Sequence, residues 1–214
     1  MAVGGPPGAV RLAGVIPTTL PGALPSSDAV KTNLDRARQL LKEANAGDLK
    51  GQLSFSTGHV FYGVQFGIVA EKVQADLAKV GIQLTLDGLP SGIALQKYRD
   101  AKDQLGIWAW AADYPDVSDY LVFAPGRTVG KRAGWMPDAS PEAQALAQLA
   151  TRAETEVDTP KRVALYQQFN RRVAEIGPFA PMFQPVAPYA FRSSIRGVVL
   201  ASTWFVDYTT VRKG

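Results

Sequence analysis

The residues best equipped for chemistry lie together, in the stretch WAWAADYPDVSDYL between Trp108 and Leu121. Two indoles, Trp108 and Trp110, lead into three carboxylates, Asp113, Asp116 and Asp119, with Tyr114 among them. Acids at this density suggest calcium first. Their spacing is not that of an EF-hand, and its central glycine is missing. By residue type alone, Asp113 is a loop aspartate that hydrogen-bonds its own backbone. Trp108 and Trp110 are two residues apart, so an extended chain puts both on one face and Ala109 and Ala111 on the other. Core packing accounts for such a pair as readily as a binding role does.

Other chemistries fail on composition. The chain has no cysteine, which removes thiol nucleophiles, disulfides and thiolate metal sites. Its one histidine, His59, lies between a strand and a helix. No G-x-S-x-G elbow accompanies it, so a Ser-His-Asp triad has no support and His59 reads as a polar loop residue. The segment GRTVGK from Gly126 to Lys131 is one residue short of a phosphate loop, and Arg132 stands where a hydroxyl should hold magnesium. We therefore expect no catalytic residue, no metal and no cofactor. The net charge of +4 is spread over pairs such as Lys131-Arg132, Arg171-Arg172 and Arg212-Lys213. A nucleic-acid protein shows a basic stripe instead, so nucleic acid is not an expected partner.

The elements around this stretch are legible. Residues Ala2 to Ser27 are rich in Gly, Pro and Ala and read as an extended lead-in, lying on the body or hanging as a tail. Asn33 can cap a helix carrying Leu34, Ala37, Leu40, Leu41 and Ala44, with Gly47 in the place of a C-cap glycine. Gln52 to Thr57 alternates as a half-buried strand with Leu53 and Phe55 on one face. Phe66, Val69, Val73, Leu77 and Val80 share one face of a long helix, expected over 62–80 and ended by Gly81. Ile82, Leu84 and Leu86 alternate as a second strand, and a strand-helix-strand of this length implies parallel pairing. A short helix over about Ser91 to Ala101 and an apolar strand from Leu105 to Ala111, in the same sheet, precede the acidic loop.

Ser140-Pro141 and Thr159-Pro160 each set a capping hydroxyl before a proline at the start of a helix. The second helix carries Val163, Tyr166, Phe169, Val173 and Ile176 on one face and stops at Gly177. Phe179 to Gln184, Tyr189 to Arg192, Gly197 to Leu200 and Trp204 to Tyr208 read as short strands broken by prolines. With 214 residues, 46% apolar and 20% charged, the chain suits one large α/β body that needs no staple. The longest apolar stretches, Leu105 to Ala112 and Gly197 to Val206, fall short of the ~20 residues that span a bilayer. Met1 is followed by Gly and Pro, without the basic start and apolar run of an export signal.

Four stretches carry a family resemblance. NLDRARQLLKEANA, Asn33 to Ala46, resembles the helix D-x-x-K-A-x-x-L-L-x-E-A-G of the dipeptide- and oligopeptide-binding proteins of ABC importers, extracellular solute-binding family 5. Ile68 to Leu86 resembles their I-Q-x-x-L-x-x-I-G-I-x-V element. Trp108 to Leu121 is similar to G-W-x-A-D-Y-P-D-P-x-x-F-L, the most specific of the four. GPFAPMFQP, Gly177 to Pro185, resembles a further strand. Together they cover about Gly14 to Lys213.

The resemblance implies an α/β C-terminal lobe of a two-lobed periplasmic-binding-protein fold (type II-like), with a mixed sheet flanked by helices. Residues 1–27 would be the lead-in, 28–192 the ligand-binding lobe, and 193–214 closing strands returning to a missing N-terminal lobe. It implies capture of a peptide or other small amine-bearing solute for an ABC-importer membrane permease, in a periplasmic or extracellular membrane-associated parent. Asp113 matches the aspartate that pairs with the ligand's α-amino group, a charge-assisted hydrogen bond. Trp110 matches the tryptophan beside the cleft. Tyr114 and Trp108 are the further candidates for its lining, while Asp116 and Asp119 read as turn caps. The family's cationic partner for a ligand carboxylate has no match, since the strand reads Leu105-Gly106-Ile107. A domain that keeps the fold without binding a ligand is the alternative reading.

Overall fold

A computed structural model describes residues 8–61, 63–186, 189–201 and 205–214. In chain order the elements are β1 (Ala9–Arg11), α1 (Leu34–Glu43), β2 (Lys50–Ser56), β3 (Val60–Phe61), β4 (Val64–Gln65), α2 (Phe66–Ala78), β5 (Gln83–Leu89), α3 (Ser91–Arg99) and β6 (Leu105–Gly106). A seven-residue 3-10 helix, Val117–Phe123, follows the acidic loop. Then come α4 (Thr128–Arg132), α5 (Pro141–Thr155), α6 (Thr159–Ile176), β7 (Phe183–Pro185), β8 (Ile195–Arg196), β9 (Val199–Ala201), β10 (Phe205–Asp207) and β11 (Arg212–Lys213).

The expected strand-helix-strand unit forms. β2 is central in a three-stranded sheet of order β5-β2-β6, parallel to both neighbours. Leu53 and Phe55 face α2, where they join Phe66, Val69 and Ala70 in one buried cluster. The opposite face is not solvated as a half-buried strand predicts: Ser54 and Ser56 are only 1% and 3% exposed. Helix α3 covers them, as both faces of a parallel sheet are usually covered. Their hydroxyls are satisfied there, Ser54 by Lys97 and Asp87 and Ser56 by Ser91. Antiparallel pairing among the described residues is confined to separate two-stranded ribbons.

The second and larger cluster joins α5, α6 and the 3-10 helix, with Tyr166, Phe169, Val173, Leu121 and Ala150 fully buried. The lead-in lies on this body through Val15, Ile16, Leu20 and Ala23. β1 pairs antiparallel with β7. Ile16 is 1% exposed, and its amide donates to Asn170 Oδ1 at 3.3 Å, while Asn170 Nδ2 donates to the Gly22 carbonyl at 3.3 Å.

Several boundaries differ from expectation. α2 begins at Phe66 and not at 62, because Val60–Phe61 and Val64–Gln65 pair as a hairpin, with Gly63 left-handed at φ +82°. Tyr62 lies outside the described residues. The cap of α1 is not Gly47 but Asn45, at φ +51°, after which the Ala46 amide closes back on the Leu41 carbonyl at 2.8 Å. α6 is capped by Asp158 one residue earlier than Thr159, its carboxylate accepting from the Lys161 amide at 3.0 Å. Ser140 caps α5 as expected, accepting from the Ala143 amide at 3.1 Å. Tyr189 to Arg192 forms no strand, and Phe179 to Gln184 is paired only from Phe183. Met1 to Pro7, Pro188 and Trp204, all within stretches assigned from the sequence, lie outside the described residues.

Candidate functional site

The acidic loop hangs between the two clusters. The strand expected from Leu105 to Ala111 pairs only at Leu105 and Gly106, opposite Leu53 and Ser54. One more bond follows, from the Ile107 amide to the Ser54 carbonyl at 3.0 Å. Ile107 is buried in the sheet cluster, whereas Trp110 and Ala112 pack against the helical cluster. The chain therefore leaves the sheet to cross from one core to the other, which ends the pairing. Anchored at both ends, it delivers Asp113 to the surface.

Within the loop the three carboxylates divide. Asp116 accepts from the Ser118 amide at 2.8 Å and pairs with Arg162 of α6 at 2.6 Å. Hydrogen bonding from that guanidinium is the largest influence holding its pKa down at about 2. Asp119, 4% exposed, accepts from the Asp113 amide at 2.8 Å. The turn is tightened by the Asp116 amide donating to the Tyr114 carbonyl at 2.8 Å. Both capping roles expected for Asp116 and Asp119 are thus present, although Arg162 was not anticipated. Asp113 is exposed, and its carboxylate makes no hydrogen bond or ion pair among the described residues. It does not cap the loop.

The aromatic candidates part company. Tyr114 is 45% exposed beside Asp113, its hydroxyl 3.2 Å from Ser118 Oγ. Trp110 turns inward, edge-on to Phe123 at 6.0 Å, and its buried Nε1 lacks an acceptor among the described residues. Trp108 stacks on Tyr98 of α3 at 4.4 Å and donates from Nε1 to Asp103 Oδ2 at 3.2 Å. Glycine at position 106 permits this, since a Cβ there would lie 2.7 Å from Trp108 Nε1. So Asp113 and Tyr114 share a surface, while the two indoles engage different neighbours.

A polar cluster between β2, β5 and α3 escaped the sequence reading. Lys97 Nζ donates to Gln52 Oε1 and Ser54 Oγ at 2.8 Å each and to Asp87 Oδ2 at 2.7 Å. The Lys97 hydrogen bond is the main cause of the lowered pKa of Asp87. The signal available was Asp87, the one charged residue of β5. This cluster borders an open groove of about 610 Å³ that also includes Ile93 and Gln96, and none of the four expected site residues lines it. His59 is exposed, its ring against Phe66 at 4.9 Å. No group of three or more His, Asp or Glu among the described residues is arranged to hold a metal ion.

Residues 6–130, more than half of the chain and including the acidic loop, match the family model for bacterial extracellular solute-binding proteins, family 5 Middle. Di/tripeptide-binding protein 4 of Pseudomonas aeruginosa (strain UCBPP-PA14) is 32% identical over 203 residues, which are 93% of this chain and 37% of that protein. Di/tripeptide-binding protein 2 of the same strain is 27% identical over 183 residues, 83% of this chain and 33% of that one. The chain thus spans about a third of the length of these relatives. A dipeptide-binding protein of Pseudoalteromonas sp. SM9913, solved in complex with Met-Leu, superposes with a TM-score of 0.78 at 19% identity, covering 97% of this chain and 41% of that chain. Such a likeness gives the fold, an α/β lobe of the periplasmic-binding-protein kind. A loop sequence that matches the family's most specific motif, set in that fold and within the residues the family model covers, leads to one conclusion: the chain belongs to the bacterial extracellular solute-binding proteins of family 5.

Proposed function

We propose that this chain is the ligand-binding lobe of a solute-binding protein that captures peptides, or related amine-bearing small solutes, for an ABC importer. Asp113 takes the ligand's ammonium group, and Tyr114, Trp110 and Trp108 contribute to the walls around it. Residues 28–192 form the lobe, and 193–214 return toward a second lobe that closes over the ligand. The parent protein works in the periplasm or at the outer face of the membrane and delivers its ligand to a membrane permease. The relatives named for di- and tripeptides support the ligand class.

One observation carries the reading. In a loop of three acids, two are committed to holding the loop and the third, Asp113, faces solvent uncommitted. A carboxylate held on a braced loop is a ready partner for an ammonium group. A fold-keeping domain without a ligand is favoured instead by Trp108 and Trp110, both packed on protein neighbours.

The two readings separate in a titration of the chain, followed by the amide resonances of residues 112–114. Methionyl-leucine should bind no tighter than the millimolar range, because a solvent-exposed ion pair adds only about 0–1 kcal/mol to whatever the rest of the dipeptide contributes. N-acetylation of the dipeptide, or Asp113→Ala, should weaken binding by up to about fivefold, the most that an exposed pair supplies, and shrink the shifts accordingly. Equal shifts from the acetylated dipeptide, or none from either, would exclude the ammonium role. Sub-micromolar affinity would exclude the idea of a half-site.

A further inference from the structure

We infer that Asp119 is a positioning residue for the binding site, holding the backbone of Asp113 so that its carboxylate projects to solvent; this rests on the ammonium role proposed for Asp113. The Asp119 side chain is buried, and the Asp113 amide, 2.8 Å from Oδ2, is its sole hydrogen-bond partner among the described residues. Burying a carboxylate is costly unless donors compensate it. Here a single neutral donor does so, and that donor is the backbone of the residue with the free carboxylate.

The bond closes a short ring of chain from Asp113 to Asp119. The 3-10 helix anchors the far side of the ring in the helical cluster through Val117, Tyr120 and Leu121. On the near side the chain arrives through Trp110 and Ala112, packed on the same cluster. Asp113 itself is exposed, and no hydrogen bond or ion pair of its side chain restrains it among the described residues. Its backbone orientation, and with it the direction of Cβ, therefore depends on the amide held by Asp119. Asp116 braces the loop from outside through Arg162, and Asp119 braces it from inside. Preorganisation of this kind helps a small polar site because the ordering precedes ligand arrival.

The acceptor, and not the charge, is what this role needs, so Asp119→Asn should preserve it and Asp119→Leu should abolish it. Two readouts on the chain test this. Hydrogen exchange at the Asp113 amide should be slow in the wild type and in Asp119→Asn, and faster by roughly tenfold or more in Asp119→Leu. Titration with methionyl-leucine should give near wild-type affinity for Asp119→Asn and a loss of about fivefold for Asp119→Leu, the most that an exposed ion pair supplies. An unprotected Asp113 amide in the wild type would overturn the inference while leaving the ammonium role intact. So would wild-type affinity in Asp119→Leu, or an Asp119→Asn as weak as Asp119→Leu. A protected amide in a wild-type chain that ignores the dipeptide would instead defeat the ammonium role, and Asp119 would then be a purely structural brace. Should Asp119→Leu fail to fold, as judged by circular dichroism, the wild-type exchange rate and the Asp119→Asn pair of measurements still decide the question.

Discussion

Replacing Asn170 by Leu would unfasten the lead-in from the body. Asn170 sits on the buried face of α6 with no solvent exposure. Its side-chain amide accepts from the Ile16 amide and donates to the Gly22 carbonyl, both at 3.3 Å. Leucine is close in volume, so little cavity term is expected. The loss comes from two backbone groups left in a dry site without partners. Each such group costs about 1–3 kcal/mol. Both bonds are long, which places the sum near the lower end, about 2–3 kcal/mol. In a chain of this size each kcal/mol moves the melting temperature by about 2–4 °C, so a drop of roughly 4–12 °C follows. Urea denaturation followed by circular dichroism is the assay. The midpoint should fall while the slope stays the same, since the surface exposed on unfolding is unchanged. A destabilisation below about 1 kcal/mol at constant slope would refute the reasoning, because it would mean that the amide is not what holds Ile16 and Gly22.

Three further outcomes follow from the same geometry. Asp113→Ala should leave stability within about 0.5 kcal/mol, as for other exposed sites, whereas in a two-lobed protein that closes over its ligand the same change should cost about 3–5 kcal/mol of affinity, or two to four orders of magnitude, by calorimetry. The depressed pKa of Asp116, about 2 against an ordinary 3.8, means that its pair with Arg162 stabilises the fold fully above the ordinary value. That contribution is lost as pH falls toward about 2, so Asp116→Asn should narrow the gap between denaturation midpoints measured at about pH 5 and about pH 2.5. Gly106→Ala would put a methyl group 2.7 Å from Trp108 Nε1 and 3.0 Å from Asp103 Oδ2, displacing the indole from Tyr98. Its near-ultraviolet circular dichroism should change, with a stability loss of about 1–3 kcal/mol, and an unaltered spectrum would contradict the stacked arrangement.

What the sequence determined by itself was set by local periodicity and local motif. Leu53 and Phe55, the helical spacing from Phe66 to Leu77, and Leu84 with Leu86 were enough to announce the parallel strand-helix-strand unit, because period and face are properties of consecutive residues. Tyr166, Phe169 and Val173 announced the core face of α6 for the same reason. The acidic loop was legible as the family's motif, and its proline and aspartates as a loop. Tertiary structure decided the rest, since it depends on groups far apart in the chain. No local signal shows that Lys97 lies over Ser54 and Asp87, burying a strand face that alternation reads as solvated. Nothing local stops the apolar run from Leu105 to Ala111 from continuing as strand; it stops because the chain must pass between two separate cores. The family motif set Asp113 apart from Asp116 and Asp119, but no local signal names the groups that hold the latter two. Arg162, forty-six residues away, claims Asp116, burial turns Asp119 inward onto an amide, and the Asp113 carboxylate is left without a partner among the described residues.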